Sequence, residues 1–451
     1  MGSEDEDIPG PAEVTKQLER MQSDKALRNS PSQSKLLEFV VRSALENREI
    51  REVDINDVLL PLGHHDPEPS NARATATHLR KTLDKYYTEA GREDPVVIAL
   101  PPGKAYKPNF SYNPASAAHK AYRRGIAHMT QFLSADDARL ALEYLDEAIR
   151  LEPTYAHAYA AKAECIFREA LYRPDAPPGR WIASAEESAR EALVWDPRVW
   201  QAHVVLGAVH CSRFLWEEAA AAFAAASQIA PLETTEHLYY LAFLAATGKI
   251  DEAIDLAERA TTRRGEDLFA RLTLAALYYL SSDWTKRFRS AHELAWIAIR
   301  ENKRLPHGYI LQACITFSVG LETGLLSSTA EALVEDWHRL FGIEAFPGLA
   351  ILCFAAVVDR ARGSKDHREK LATLHQRIAR LEIKSRESYV PPLQLALAHC
   401  AAHEIDEAIA DLGRACDEGD PKMIWLHVWP QFDGLRGHKG YAGLRARLNL
   451  P

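Results

Sequence analysis

AEESAREALVWDP (185–197), AAAAFAAASQIAP (219–231) and AIDLAERATTRRG (253–265) begin 34 residues apart and carry one pattern. In the first, Ala185, Ala189 and Ala192 precede Pro197. In the second, Ala219, Phe223 and Ala226 precede Pro231, and in the third, Ala253, Ala257 and Ala260 precede Gly265. Residues at four-then-three spacing share one helix face, and small ones there let a neighbouring helix approach closely. The proline or glycine five positions later ends the helix. Working outward, Ala141, Leu145, Ala148 and Pro153 repeat the spacing upstream. The step from there to Ala185 is 44, and the ten extra residues fall around YRPDAPPG (172–179). Ala291, Ala295 and Ala298 follow Ala253 at a step of 38, while residues 305–388 read as helical but lose register. Register returns with Leu395, Ala396, Ala408, Leu412 and Ala415. The pattern predicts a mainly α chain of paired helices stacked in an array.

A 34-residue period with these small residues resembles the tetratricopeptide repeat. The resemblance implies an α-solenoid over residues 119–451, with Trp200–Pro231 its best-formed unit. Its inner surface would be lined by the first helix of each pair. By register the lining residues are His157, Glu164, Gln201, Val204, Ala208, Cys211, Leu238, Ala242, Leu272 and Tyr279. This lining is largely apolar, which suits a protein segment or a small ligand at the concave face. The closing run WLHVWPQFDGLR (425–436) resembles the tail of bacterial wing-plus-repeat proteins and is expected to cap the array.

At 451 residues, 47% hydrophobic and 26% charged, the chain can build two or three full cores. A net charge of −9 with a pI near 6.1 argues, taken whole, against a nucleic-acid binder. The cysteines Cys165, Cys211, Cys314, Cys353, Cys400 and Cys416 are scattered in apolar helical contexts, as expected of reduced thiols in a cytoplasmic protein. The acidic start lacks the features of a signal peptide, and Phe346–Val358, the longest apolar stretch, is too short to span a bilayer. No membrane association is expected.

Residues 1–12 form an acidic, Pro/Gly-punctuated tail that is expected to be disordered. Helices are expected over Glu13–Gln22, from Ser30-Pro31 to about Glu46, over Asp54–Leu60, and from about Ala72 to Ala90 with Gly91 as its stop. Arg51-Glu52-Val53 reads as a brief strand. Val96–Leu100, the turn Pro101-Pro102-Gly103 and Lys104–Phe110 read as a β-hairpin.

Two segments in this order carry a second resemblance. Leu79-Arg80-Lys81-Thr82-Leu83-Asp84-Lys85-Tyr86-Tyr87 and Pro102-Gly103-Lys104-Ala105-Tyr106-Lys107-Pro108-Asn109-Phe110 resemble the effector domain of OmpR/PhoB-type winged helix-turn-helix regulators, in the reduced form that precedes repeats in bacterial proteins. The opening four-stranded platform and a phosphoacceptor domain have no counterpart, so phosphorelay control is not implied. The resemblance implies a winged-helix DNA-binding domain over residues 13–110, joined by a linker at 111–118 to the repeats. The long helix would enter the major groove of double-stranded DNA, with Asn71, Arg73, Thr75 and His78 facing base edges. Arg80, Lys81 and Lys85, with Lys104 and Lys107 on the wing, would hold phosphates. The local charge agrees: residues 71–110 carry seven Lys and Arg against four Asp and Glu, a balance of +3 on a chain of −9. Paired half-sites, the habit of such regulators, suggest a homodimer.

No enzyme is expected. GLRGHKG (434–440) lacks the spacing and the preceding strand of a phosphate loop. His399 and His403, four apart with Cys400 between, supply half the donors of a zinc site, yet His399 sits at a packing position. His64-His65 beside Asp66 reads as an exposed loop. Neither metal nor cofactor is expected. Two readings stay open: a cytoplasmic DNA-binding transcriptional regulator whose repeats bind an effector, a partner or another copy, and a non-enzymatic scaffold whose winged helix contacts protein.

Overall fold

The computed structural model describes residues 8–59, 69–102, 106–131, 135–172, 176–230, 238–263, 268–281, most of 290–300, and 367–449. Two compact units emerge: residues 1–165 with 188–202, and residues 166–187 with 203–451.

The first unit opens with α1 (Pro11–Ser23), α2 (Lys25–Arg28), α3 (Pro31–Leu45), α4 (Glu52–Leu59) and α5 (Pro69–Thr88). Pro11 stands in the first turn of α1, where its missing N–H costs nothing, and Glu13 reaches back to accept the Gly10 N–H at 2.9 Å. Asp24 caps α2 by accepting from Ala26 N. Pro31 starts α3 as expected, but Ser30 makes no side-chain cap bond. Arg51-Glu52-Val53 is not a strand. Asp54 accepts from Arg51 N at 3.0 Å and pairs with its guanidinium, so the helix begins at Glu52, two residues earlier than expected. The buried residues Val14, Leu18, Met21, Leu36, Leu37, Val40, Val41, Ile55 and Leu59 give these helices a core.

Strands β1 (Val96–Ala99) and β2 (Asn109–Tyr112) pair antiparallel, with Val96 opposite Tyr112 and Ile98 opposite Phe110. The second strand begins later than expected and runs on to Tyr112. Helix α6 (Ala117–Gln131) starts five residues after that, so little of 111–118 is left as a linker. Gly91 is required by space: a Cβ there would lie 2.2 Å from the Tyr86 ring.

Helix α6 packs along α7 (Ala135–Leu151) as the first helical pair. Ala141, Leu145 and Ala148 of α7 are fully buried, and Gly125 of α6 lets Leu145 approach, since a Cβ there would fall 2.8 Å from Leu145 Cγ. Further along come α8 (Ala156–Tyr172) and α9 (Gly179–Trp195), with Ala185, Ala189 and Ala192 buried.

In the second unit, α10 (Trp200–Ser212) and α11 (Trp216–Ile229) bring Gly207 under the Phe223 ring, where a Cβ would lie 2.7 Å from the ring carbons. Helices α12 (Leu238–Ala246), α13 (Ile250–Arg263) and α14 (Leu268–Leu280) pack in succession, with Ala253, Ala257 and Ala260 buried. The breakers Pro231 and Gly265 lie outside the described residues, as does the out-of-register stretch up to residue 366. From there α15 (His367–Glu387), α16 (Pro392–Ala402) and α17 (Ile405–Asp417) follow, with Leu395, Ala396, Ala408, Leu412 and Ala415 buried as the register requires.

The chain then makes two 3-10 turns, Pro421–Trp425 and Pro430–Leu435, and a last helix α18 (Lys439–Arg447). Met423, Leu426, Phe432 and Leu435 are buried against α16 and α17. The segment does more than cover the last pair. Lys422 Nζ donates to Leu171 O at 3.0 Å, Gln431 Nε2 donates to the Tyr279 hydroxyl, and Trp216 Nε1 donates to Leu448 O at 3.0 Å. It therefore ties the ends of α8 and α14 and the start of α11 to the last helices of its unit.

Candidate nucleic-acid interface

Helix α5 is two-faced. Ala72, Thr75, Ala76, Leu79, Leu83 and Tyr86 recur every three or four residues and are buried. Arg73, Ala74, Thr77, His78, Lys81, Asp84 and Lys85 are exposed. The buried face packs on α3, α4 and β1. Two tyrosines at its end fix the strands: Tyr86 OH donates to Asp94 at 2.6 Å, and Tyr87 OH accepts the Ile98 N–H at 2.8 Å.

Among the residues expected at base edges, Arg73 and His78 are exposed and Thr75 is buried against the core, out of reach of a groove. The Asn71 side chain lies outside the described residues. Among those expected on phosphates, Lys81, Lys85 and Lys107 are exposed, and Lys85 stands 3.9 Å from Glu89. Lys104 lies outside the described residues. Arg80 is engaged elsewhere. Its Nε donates to Leu100 O at 2.9 Å and its Nη2 to Pro101 O at 3.1 Å, which clamps the end of β1 to the helix. Two carbonyls at a strand end need donors, and a guanidinium fork supplies both.

Sequence reasoning missed a three-residue constellation at the front of α5. Arg73 meets the Glu52 carboxylate through Nε at 2.7 Å and Nη2 at 3.3 Å, and Tyr106 OH donates to the same carboxylate at 2.9 Å. The hydrogen bonds and the charge of Glu52 hold the Arg73 guanidinium above its usual pKa, and burial pushes the Tyr106 hydroxyl up. Tyr106 is buried and adopts φ +47°, a region that side-chain-bearing residues enter sparingly. No local signal singles out Glu52, which stands two residues from the helix-capping Asp54 in an unremarkable run. Tyr106 was visible only as part of the second motif.

The residues expected to line a groove fall in both units. His157 is buried, with Nδ1 3.1 Å from the Tyr112 hydroxyl, which in turn donates to Glu13 at 2.7 Å. Glu164 and Gln201 are half-buried. In the second unit Val204, Ala208, Cys211, Ala242, Leu272 and Tyr279 are buried, Leu238 is half-buried, and burial raises the Cys211 thiol well above its ordinary pKa. Most of this set is core: α12 packs on α14, and the C-terminal segment reaches Tyr279.

His399 is buried, 3.7 to 3.9 Å from carboxylates of Glu382, Glu404 and Asp411, whereas His403 ends α16 in a left-handed conformation at the surface. Among the described residues no three His, Cys, Asp or Glu side chains converge as a metal site. His64-His65 lies outside the described residues. Among the described residues no helix is long and apolar enough to cross a membrane. The described cysteines Cys165, Cys211, Cys400 and Cys416 are free thiols, and burial pushes Cys400 up to about 12 and Cys416 up to about 11.

No family model and no curated protein matches the chain. Solved structures similar to it include PilF of Pseudomonas aeruginosa, at 18% identity and a TM-score of 0.32 over 50% of this chain and 92% of that one. Yeast Tom70 gives 16% identity and a TM-score of 0.39 over 95% of this chain and 88% of that one. The human IFIT1 dimer, determined with m7Gppp-AAAA, gives 12% identity and a TM-score of 0.43 over 90% and 94%.

Proposed function

We propose that the chain is a non-enzymatic, DNA-binding transcriptional regulator of the cytoplasm. In this reading α3, α4, α5 and the β1–β2 hairpin act as a winged helix, and the helical pairs bind an effector, a partner protein or a second copy. The observation that carries it is the exposed column Thr77, His78, Lys81 and Lys85 on α5, opposite a buried and largely apolar face. An α-helix fits the major groove, and cations one turn apart can follow a phosphate backbone. The excess of negative charge elsewhere in the chain would discourage indiscriminate binding. A shift between arrangements of the repeats would then reposition the module on a promoter.

The alternative reading is a scaffold whose N-terminal module contacts protein. It draws on the engagement of Arg73 by Glu52 and of Arg80 by Leu100 and Pro101, which thins the positive face.

Fluorescence anisotropy with genomic and random-sequence duplexes across a salt series separates the two. The regulator predicts affinity that falls steeply with salt, and loss of more than about tenfold in Lys81→Glu/Lys85→Glu with a salt slope shallower by about two. Lys81 and Lys85 are exposed, so the variant leaves the core intact. Absence of binding at low salt by the parent chain would favour the scaffold.

A further inference from the structure

The Glu52–Arg73–Tyr106 constellation has the build of a reading head. Arg73 lies near the front of α5, the part of such a helix that approaches base edges. A free arginine at the surface samples many rotamers, which blurs its aim. Here Glu52 takes the guanidinium side-on, through Nε and Nη2, and leaves Nη1 outside the carboxylate pair. Glu52 is itself held: its side chain is 26% exposed, it sits in the first turn of α4, and the buried Tyr106 donates to its Oε1. Arg73 retains 57% side-chain exposure, so the paired guanidinium stays accessible from solvent. The arrangement is therefore a cation with one edge fixed by the protein and the other edge left outside the pair. A planar donor pair on that other edge matches the N7 and O6 acceptors that guanine shows in the major groove.

We propose that Arg73 reads a guanine in the target site and that Glu52, steadied by Tyr106, is the residue that positions it. The assignment rests on the winged-helix reading above. Glu52 contributes orientation at the expense of some attraction, because its charge opposes the phosphates. A phosphate-holding arginine would gain nothing from such a neighbour, and this asymmetry favours a base edge over the backbone.

Selection from a library of randomised duplexes, followed by anisotropy on the winning site and on single-base variants, tests it with the full chain. The parent is expected to prefer guanine at one position per half-site by about 10- to 100-fold. Arg73→Lys, which keeps the charge and loses the fork, should reduce that preference to about threefold or less while leaving the other positions unchanged. Glu52→Gln should weaken the guanine preference yet bind mixed-sequence DNA at least as tightly as the parent. A generic loss of folding cannot produce that split, and a circular dichroism melt of each variant verifies it. Three results overturn the proposal: Arg73→Ala weakening all sequences equally with a salt slope shallower by about one, a preference unchanged in Arg73→Lys, or a preference sharpened in Glu52→Gln. In each of these the parent still binds DNA, so the winged-helix reading survives. Absence of binding by the parent removes both.

Discussion

Glu13 sits in an environment far from a carboxyl group's ordinary one. Burial pushes its carboxyl from the ordinary 4.5 up to about 8, against hydrogen bonds from Gly10 N and Tyr112 OH and with the nearby charges of Glu152 and Asp196 adding to the push. Lys16 and Arg20 pair with Glu152 instead, so neither cation relieves Glu13. Its Oε1 has no hydrogen-bond partner among the described residues. The folded-state value lies above the unfolded one, so the neutral carboxyl contributes stability that is fully present below about 4.5 and lost as pH rises through about 8. Glu13→Gln keeps an acceptor for Gly10 N and Tyr112 OH and cannot ionise. We therefore expect the variant and the parent to be similar near pH 4.5. Above pH 8 the variant should be the more stable by roughly 3–5 kcal/mol. Denaturant unfolding at a series of pH values checks this, and parallel curves for the two proteins would show that Glu13 is already solvated.

At the scale of elements, one contact recurs: a glycine on the first helix of a pair lies beneath a large side chain on the second. Gly125 serves Leu145 in the α6–α7 pair, and Gly207 serves Phe223 in the α10–α11 pair. Gly207→Ala forces the Phe223 ring to move, and Phe223 is fully buried, so the ring has nowhere to go. Overpacking of this kind costs about 1–3 kcal/mol, read as a lower denaturation midpoint with an unchanged slope. Gains in stability, of the sort Gly→Ala brings in an open helix, would mean that the helices are further apart. These contacts also explain why the repeats were legible. Spacing of small and large residues along one helix dictates which face a neighbour can approach, and this is a local property of sequence. The fate of Arg80 and Arg73 was not legible for the opposite reason. Arg80 reaches carbonyls 20 and 21 residues away, and Arg73 reaches a carboxylate 21 residues back. Chain folding alone decides whether such a cation meets a partner or solvent, so charge counted along α5 overstated the cations it offers.

At the scale of the whole chain, the sequence pattern anticipated a boundary at residues 111–118, yet the first compact unit continues through 165 and includes 188–202. The reason is packing that no periodicity encodes. Tyr112, at the end of β2, stacks with His119, lies 4.6 Å from the Tyr155 ring centroid, and bonds to both Glu13 and His157. Strand, first pair and second pair thus share one polar and aromatic cluster. The second unit is closed by its own last residues. Burial of Tyr441, Leu444 and Leu448 of the α18 region contributes about 1.5–3 kcal/mol for each large apolar side chain, and Leu448 O also satisfies the Trp216 indole. Deletion of residues 439–451 is therefore expected to cost the second unit on the order of 5 kcal/mol. The deletion also uncovers Trp216 and the face of α17 that Gly440 closes upon at Ile409. The α6–α7 pair lies wholly in the first unit and makes none of these contacts, so the loss should appear as one early transition followed by an unchanged later one. Differential scanning calorimetry with tryptophan emission reads both. A single transition that moves as a whole would mean that the two units unfold as one, and an unshifted early transition would mean that α18 only decorates the array.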